Sequence, residues 1–457
     1  MLAALACAAG AVVLIASARP STASPTRGNG TAELRTPVWS ARRVPSLLTH
    51  SVESALRARA EAALAAQLSS IVAPVRACVA VDGRTGTLAR IEVEEALAPA
   101  STLKLLTATA AISLLGPDHH FTTRAVTGAN GDLVVVGAGD PLLATPANIT
   151  RAHADARFLT VPFTPLSTLA DRIVAAGVRR VSGALVVDDH LHDSLRFLPA
   201  WKPVYAEEGD VGSLGALTVD GGFSDAAGTP SPDPAVTTGQ RLSEMLSARG
   251  VTIAGGIRRG VAPASAPEIA HIDSAPLSDI VGEMLTSSDN YTAEELLRDL
   301  AVHGGNIPAT TEQGTRLVLH ELAALGIPTT GVVMRDGSGL APDDRVTCAT
   351  MLKVIETASR PKFAAVDKGL PIAGRTGTLV DRFVGSPLAG KLRAKTGSIS
   401  GVVGLVGVVD GPDDLHFAFV ANGDFGVGRG AQLQADVATA VGSTPDLTAS
   451  HDLVPAP

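Results

Sequence analysis

Aromatic side chains are scarce in this chain: ten Phe, two Tyr and two Trp make up 3% of 457 residues. So few rings leave no stacking platform of the kind that single-stranded nucleic acids require. There is no Lys/Arg cluster either, and the net charge is -8, which argues against DNA binding and polybasic attachment to a membrane. Long hydrophobic runs are missing too. The uncharged stretch at residues 2–17 is sixteen residues long, short for a bilayer span but suited to the core of a signal peptide. Ala16-Ser17-Ala18 fits a cleavage site. An uncleaved anchor is the alternative, and Cys7, with only six residues before it, has the wrong context for lipid attachment. Either way the bulk of the protein is expected outside the cytoplasm. What the chain has in quantity is apolar residue, 46%, enough for a large core in a length that suggests two or three domains.

The expected organisation is a leader or anchor over residues 1–18 and a Pro/Ser/Thr/Ala/Arg-rich linker over 19–44. A catalytic domain is expected in two parts, 45–120 and 264–448, with material inserted over 121–263. Residues 51–69 carry Leu56, Ala60, Leu64 and Leu68 at four-residue intervals and predict a helix. Residues 78–86 read as a buried strand running into a turn. The inserted stretch reads as short strands, many Gly and Pro turns and two modest helices. A helix–Gly–strand phrase starts at Leu169, and similar phrases recur at Leu242 and Leu319. Longer helices return at 277–285, 293–303, 311–325 and 347–358. Residues 391–409 predict one long strand, turned by Gly411-Pro412-Asp413-Asp414 onto a return strand at 415–421.

The stretch around which the chain is organised is residues 99–115, closed by Gly116-Pro117. It reads as a helix with Pro99 ahead of its first turn. From Ala96 to Pro117 the single charged side chain is Lys104. Burying one ammonium in so apolar a helix is costly unless it is paired or has a task. Ser101, three residues earlier, shares its face, at the positive end of the helix dipole. That arrangement sets a nucleophile beside a base. Ser359-Arg360-Pro361-Lys362 has the same spacing without the apolar setting.

Two further motifs follow in order: Ser288-Asp289-Asn290 and Lys395-Thr396-Gly397-Ser398. Ser-x-Asn and Lys-Thr-Gly each occur once. Arg84-Thr85-Gly86-Thr87 and Arg375-Thr376-Gly377-Thr378 are near copies of the last and read as decoys, one in a turn and one in a Gly-bounded loop. A desolvated Lys104 beside a second cation such as Lys395 has a lowered pKa and can accept the Ser101 proton. Ser288 is suited to relay a proton to a leaving amine, and Asn290 to hold a substrate amide or Lys104. Lys395 and Thr396 are suited to anchor a carboxylate, and Gly397 to let the strand backbone approach the ligand. The amides of Ser101 and Ser398 then form an oxyanion hole.

These three motifs resemble those of the penicillin-recognising serine transferases, the D-alanyl-D-alanine peptidases and serine β-lactamases. The 187 positions between Ser101 and Ser288 resemble the class C low-molecular-mass penicillin-binding proteins, in which extra domains interrupt the catalytic one. The phrases Gly137-Ala138-Gly139-Asp140-Pro141, Asp336-Gly337-Ser338-Gly339-Leu340, Arg345-Val346-Thr347 and Gly377-Thr378-Leu379 agree with that family. The resemblance implies an α/β (α+β) transpeptidase-like fold, an antiparallel sheet flanked by helices with β-rich insertion between the first and second motifs. It implies cleavage of the terminal D-Ala of peptidoglycan stem peptides, hydrolysis of crosslinks in many members, and acylation by β-lactams. By transfer Ser101 is the acyl-ester nucleophile, Lys104 the base, Ser288 the proton relay and Lys395 the carboxylate anchor. Asn290, Thr396, Gly397 and Ser398 are the substrate-binding positions. No cofactor or metal is implied, and the partners are stem peptides and β-lactams, with the membrane engaged only through the N-terminal segment.

Three other readings remain open at this point. A β-lactamase needs a water-activating base, and no Glu-x-x-Leu-Asn phrase supplies one. A metal-dependent D,D-peptidase could use His190 and His192 with Asp188, Asp189 and Asp193, but no third histidine stands in motif spacing, and a solvated turn is expected there. An inactive peptidoglycan-binding protein would not need all three motifs intact. Cys78 and Cys348 remain after leader removal, either as a disulfide closing a loop worth about 4–5 kcal/mol or as two separately buried thiols.

Overall fold

The structure is a computed structural model that describes residues 45–84 and 86–444. The expected leader and linker lie outside the described residues. The chain divides into two compact units, Met1–Val52 and Glu53–Pro457, and the architecture below belongs to the second. Among the described residues no helix is long and apolar enough to cross a membrane.

The elements that position the site are, in chain order, α1 (Pro45–Val72), β1 (Arg76–Gly83), β2 (Gly86–Ile91) and α2 (Lys104–Leu115). Then come β3 (Thr122–Thr127), β4 (Leu133–Val136), α3 (Leu166–Ala175), β5 (Leu185–Asp188), α4 (Pro234–Ala248), β6 (Ile257–Arg259) and β7 (Glu268–Asp273). The chain continues through α5 (Leu277–Glu283), α6 (Asn290–His303), α7 (Thr311–Ala324) and α8 (Cys348–Ala358). It closes with β8 (Leu392–Ile399), β9 (Val402–Val409), β10 (Leu415–Asn422) and α9 (Val427–Gly442).

One sheet has the order β8-β9-β10-β1-β2, antiparallel throughout. Strands from either side of the insertion therefore meet in its middle, where β1 pairs with β10 from Arg76↔Asn422 to Asp82↔His416. Period-2 alternation sends each strand's side chains to opposite faces. From β1, Cys78 and Ala80 join a core with α2, α5, α6 and α8. Ala77, Val79 and Val81 join a second core with α1 and α9. Burial on both faces is why these strands are apolar almost throughout. β8 lies at the sheet edge; residues 371–373 cover the start of its outer side through an isolated bridge, Ile372 with Arg393.

The segment between α2 and α5 builds a second five-stranded sheet, β6-β5-β4-β3-β7, with its own core against α3 and α4. Two of the three recurring helix–Gly–strand phrases are realised as neighbours here. Arg180–Val181 pairs in parallel with Thr252–Ile253, and β5 with β6. The third phrase gives a helix, α7, with no strand after it. Two expectations shift. β7, placed by sequence after the insertion's end at 263, pairs with β3; only three of its six residues are apolar or small enough to mark it as a strand. The expected single strand over 391–409 is two strands, because Gly401 turns the chain at φ 74°.

Cys78 of β1 and Cys348 of α8 form a disulfide with their Cα atoms 5.8 Å apart. The disulfide holds, and the alternative of two separate thiols does not.

Candidate active site

The nucleophile segment is a turn before it is a helix. Ala100–Leu103 is a 3₁₀ turn leading directly into α2. Ala100, just before Ser101, sits at φ 47°, a left-handed conformation that costs a non-glycine residue roughly 1–3 kcal/mol and is typical of functional sites. Gly397 of β8 presses on this turn: a Cβ there would lie 2.6 Å from the Pro99 carbonyl oxygen. The absence of a side chain at Gly397 thus admits the nucleophile turn.

The second motif closes a helix of another kind. Met284–Ser288 is a π-helical turn after α5, and Ser288 stands at φ 67°. Such turns recur at functional sites because they push one side chain out of the helical line. Asp289, the middle residue of the motif, is the N-cap of α6: it accepts from Tyr291 N at 2.9 Å and from Thr292 Oγ1 at 2.6 Å. Asn290 is thereby fixed at the first position of α6.

The three motifs converge. Lys104 Nζ lies 3.0 Å from Ser101 Oγ, 2.7 Å from Asn290 Oδ1 and 2.7 Å from the Ser338 carbonyl oxygen. Lys395 Nζ donates to Ser288 Oγ at 2.8 Å and to the Thr396 carbonyl at 3.0 Å. Both lysines are fully buried. Burial lowers Lys104 to about 8, although Asp336, Glu294, Asp289 and Asp344 pull the other way. Burial, with Lys104 as a like charge nearby, holds Lys395 well below the usual lysine range.

This geometry defines a base. A neutral amine has two hydrogens and one lone pair. With its hydrogens directed at Asn290 Oδ1 and Ser338 O, the lone pair of Lys104 is left for the Ser101 hydroxyl. Asn290 is engaged at both ends, since its Nδ2 donates to the Asp210 carbonyl at 2.8 Å. Thr396 is half-buried and Ser398 exposed on the same strand.

A cleft of about 650 Å³ opens beside Ser288 and Asn290 and is walled on its far side by Asn148, Arg151, Phe158 and Phe163 of the insertion. Among the described residues no group of three or more His, Cys, Asp or Glu is arranged to hold a metal ion. The histidine pair is not the solvated turn expected. His190 is part-exposed against Asp188, but His192 is buried, 2.9 Å from Asp299 Oδ1 and 3.1 Å from Glu295 Oε2. Burial alone would push His192 down, but Asp299 and Glu295 outweigh it and hold it up at about 9.

Several site residues escaped the sequence reading. Thr378, in the loop dismissed as a decoy, is 2.8 Å from Thr396, hydroxyl to hydroxyl. Glu294 is one helical turn after Asn290, a spacing that could have flagged it. Asp336 and Ser338 stood in a phrase noted only for its resemblance.

Comparison with known proteins gives one answer. The profile of the D-Ala-D-Ala carboxypeptidase 3 (S13) family matches residues 62–232 and 227–441. A carboxypeptidase of Mycobacterium tuberculosis is 35% identical over 345 residues, 71% of either chain. A D-alanyl-D-alanine carboxypeptidase of Actinomadura sp. strain R39 is 29% identical over 77% of this chain and 78% of its own. The crystal structure of penicillin-binding protein 4 from Haemophilus influenzae matches with a TM-score of 0.68 at 21% identity, covering 81% of this chain and 98% of that one. At that identity the structural match speaks for the fold, and it is the fold expected from the motifs.

Proposed function

The chain belongs to the D-Ala-D-Ala carboxypeptidase 3 (S13) family, and from that membership we propose that it is a serine-type D-alanyl-D-alanine carboxypeptidase acting through an acyl-enzyme on Ser101. The observation that carries the reading is the Ser101–Lys104 contact of 3.0 Å inside a fully buried lysine environment. Lys104 takes the Ser101 proton as the hydroxyl attacks the carbonyl between the two D-Ala residues. The amides of Ser101 and Ser398 receive the oxyanion. Ser288, held by Lys395, passes the proton to the leaving amine. Lys395 and Thr396 meet the terminal carboxylate, which restores the ammonium form that burial disfavours. Water then hydrolyses the ester on Ser101. Asn290 acts first on Lys104; its amide nitrogen, which donates to the Asp210 carbonyl, keeps one hydrogen for the substrate.

Penicillin acylates the same Ser101 by opening of its β-lactam amide, giving a penicilloyl ester, and presents a carboxylate and an amide to the same groups. The cleft beyond Ser288 gives room for a second peptide strand, which supports endopeptidase action on crosslinks. A cell-wall substrate places the enzyme outside the cytoplasm, secreted or held at the outer membrane face by its N-terminal segment. Incubation with monomeric and crosslinked muropeptides tests the reading. Release of D-Ala from pentapeptide, blocked by prior penicillin and indifferent to EDTA, is expected; EDTA-sensitive, penicillin-insensitive release contradicts it.

A further inference from the structure

The turn Asp336–Gly337–Ser338–Gly339–Leu340 is buried and strained into place against the nucleophile. Gly339 sits at φ 86°, and a Cβ there would lie 2.0 Å from the Ala100 carbonyl oxygen. A Cβ on Gly337 would lie 2.6 Å from the Ala293 carbonyl oxygen of α6. Two buried carboxylates knit this turn together. Glu294 Oε1 accepts from Gly337 N at 3.0 Å and from Ser338 N at 2.8 Å. Asp336 accepts from Gly339 N at 2.7 Å, from Ala341 N at 2.7 Å and from Trp201 Nε1 at 2.8 Å. The Ser338–Gly339 peptide is therefore held by its N–H on Asp336, while its carbonyl faces Lys104 Nζ at 2.7 Å. None of this is needed to hold α6 in the core, because Ala293, Leu296, Leu297 and Leu300 already pack there.

We propose that Glu294 is a positioning residue for Lys104: it clamps the Gly337 and Ser338 amides so that the Ser338 carbonyl takes one amine hydrogen. The inference rests on Lys104 acting as the base of Ser101. Asp336 still holds the Gly339 N–H, so without the clamp the carbonyl loses its alignment on Lys104 rather than its place, and the lone pair of Lys104 is less strictly confined to the Ser101 hydroxyl. The charges facing Lys104 are Asp336, Glu294, Asp289 and Asp344, with Lys395 as the opposing cation. Those facing Glu294 include Asp336 and Arg298. Burial, with Asp336 beside it, pushes the Glu294 carboxyl up into the range where Lys104 itself titrates. As pH rises, ionisation of Glu294 thus retards the loss of the Lys104 proton, and the two titrations are linked.

The test is the pH dependence of the penicillin acylation rate in Glu294→Gln and Glu294→Ala. Gln keeps an accepting oxygen for the two amides and removes the charge. In Glu294→Gln the rise of the rate with pH should become steeper and its midpoint should fall by roughly one unit, the lower end of the effect of a nearby charge. In Glu294→Ala the high-pH rate should fall roughly 10- to 100-fold, as for a misplaced catalytic group. A structural role alone lowers the amount of folded protein without moving the midpoint. An unmoved midpoint in Glu294→Gln overturns the inference, whether or not Glu294→Ala folds. Mass spectrometry of the Glu294→Gln adduct separates the two levels: an adduct on Ser101 with an unmoved midpoint sinks the inference alone, whereas an adduct elsewhere sinks the Ser101 mechanism beneath it.

Discussion

Two serine–lysine pairs share the site, Ser101 with Lys104 and Ser288 with Lys395, and burial weakens the proton affinity of both lysines. Because Lys104 is lowered to about 8, its neutral fraction grows as pH rises toward that value. Acylation by penicillin should therefore quicken from pH 6 to pH 8 and level off above it. Stopped-flow or quench measurements across that window give the profile. Lys104→Ala should slow acylation by roughly 10²–10⁴-fold, the usual contribution of a positioned base, and the profile should lose its dependence near pH 8. At this scale the short motifs were legible because their residues act over one turn of helix or strand. Glu294, Asp336 and Thr378 were not, because their roles depend on partners 43, 135 and 18 positions away that only the fold brings near.

Helix α6 joins the active site to the insertion. Its first turns carry Asn290 and Glu294 toward Lys104. Glu295, Arg298 and Asp299, all buried, face the insertion. Glu295 accepts from Gly215 N at 2.9 Å, Arg298 donates to the Leu195 carbonyl at 2.7 Å, and Asp299 meets His192. A buried histidinium between two carboxylates is destabilising to break. His192→Ala should cost about 3–5 kcal/mol because it leaves those charges uncompensated. Since His192 is held at about 9 against about 6.5 unfolded, and burial pushes Asp299 up to about 7, the ion pair carries both charges above pH 7 and its contribution is lost as pH passes 9. The stability gap between wild type and His192→Ala should therefore narrow between pH 7 and 9.5, as urea titrations would report; a gap constant with pH would contradict the assignment. Elements were legible where apolar period and length agreed, as in α2 and β1. They were misjudged where a single Gly turn at 401 divided one strand-like run, and where β7 was too mixed in composition to announce itself.

The whole molecule is built by bringing distant segments together. β1 and β10 lie more than 300 positions apart yet pair in the centre of one sheet, and the Cys78–Cys348 disulfide spans 270 positions across the same core. A loop of that size contributes roughly 5–6 kcal/mol in the chain-entropy model. Reduction should lower the unfolding midpoint substantially, and thiol labelling of unfolded, unreduced protein should find neither Cys78 nor Cys348 free. The order of the motifs made it legible that the catalytic domain is interrupted, since its nucleophile precedes the insertion and its other two motifs follow. The insertion's contact with the site through α6 was not legible, because it rests on buried charges that composition cannot distinguish from solvated ones. All of this converges on a single acylated hydroxyl. Peptide mapping by mass spectrometry after penicillin treatment should find one adduct, on Ser101, and none in Ser101→Ala; an adduct on any other residue would contradict the account of all three motifs together.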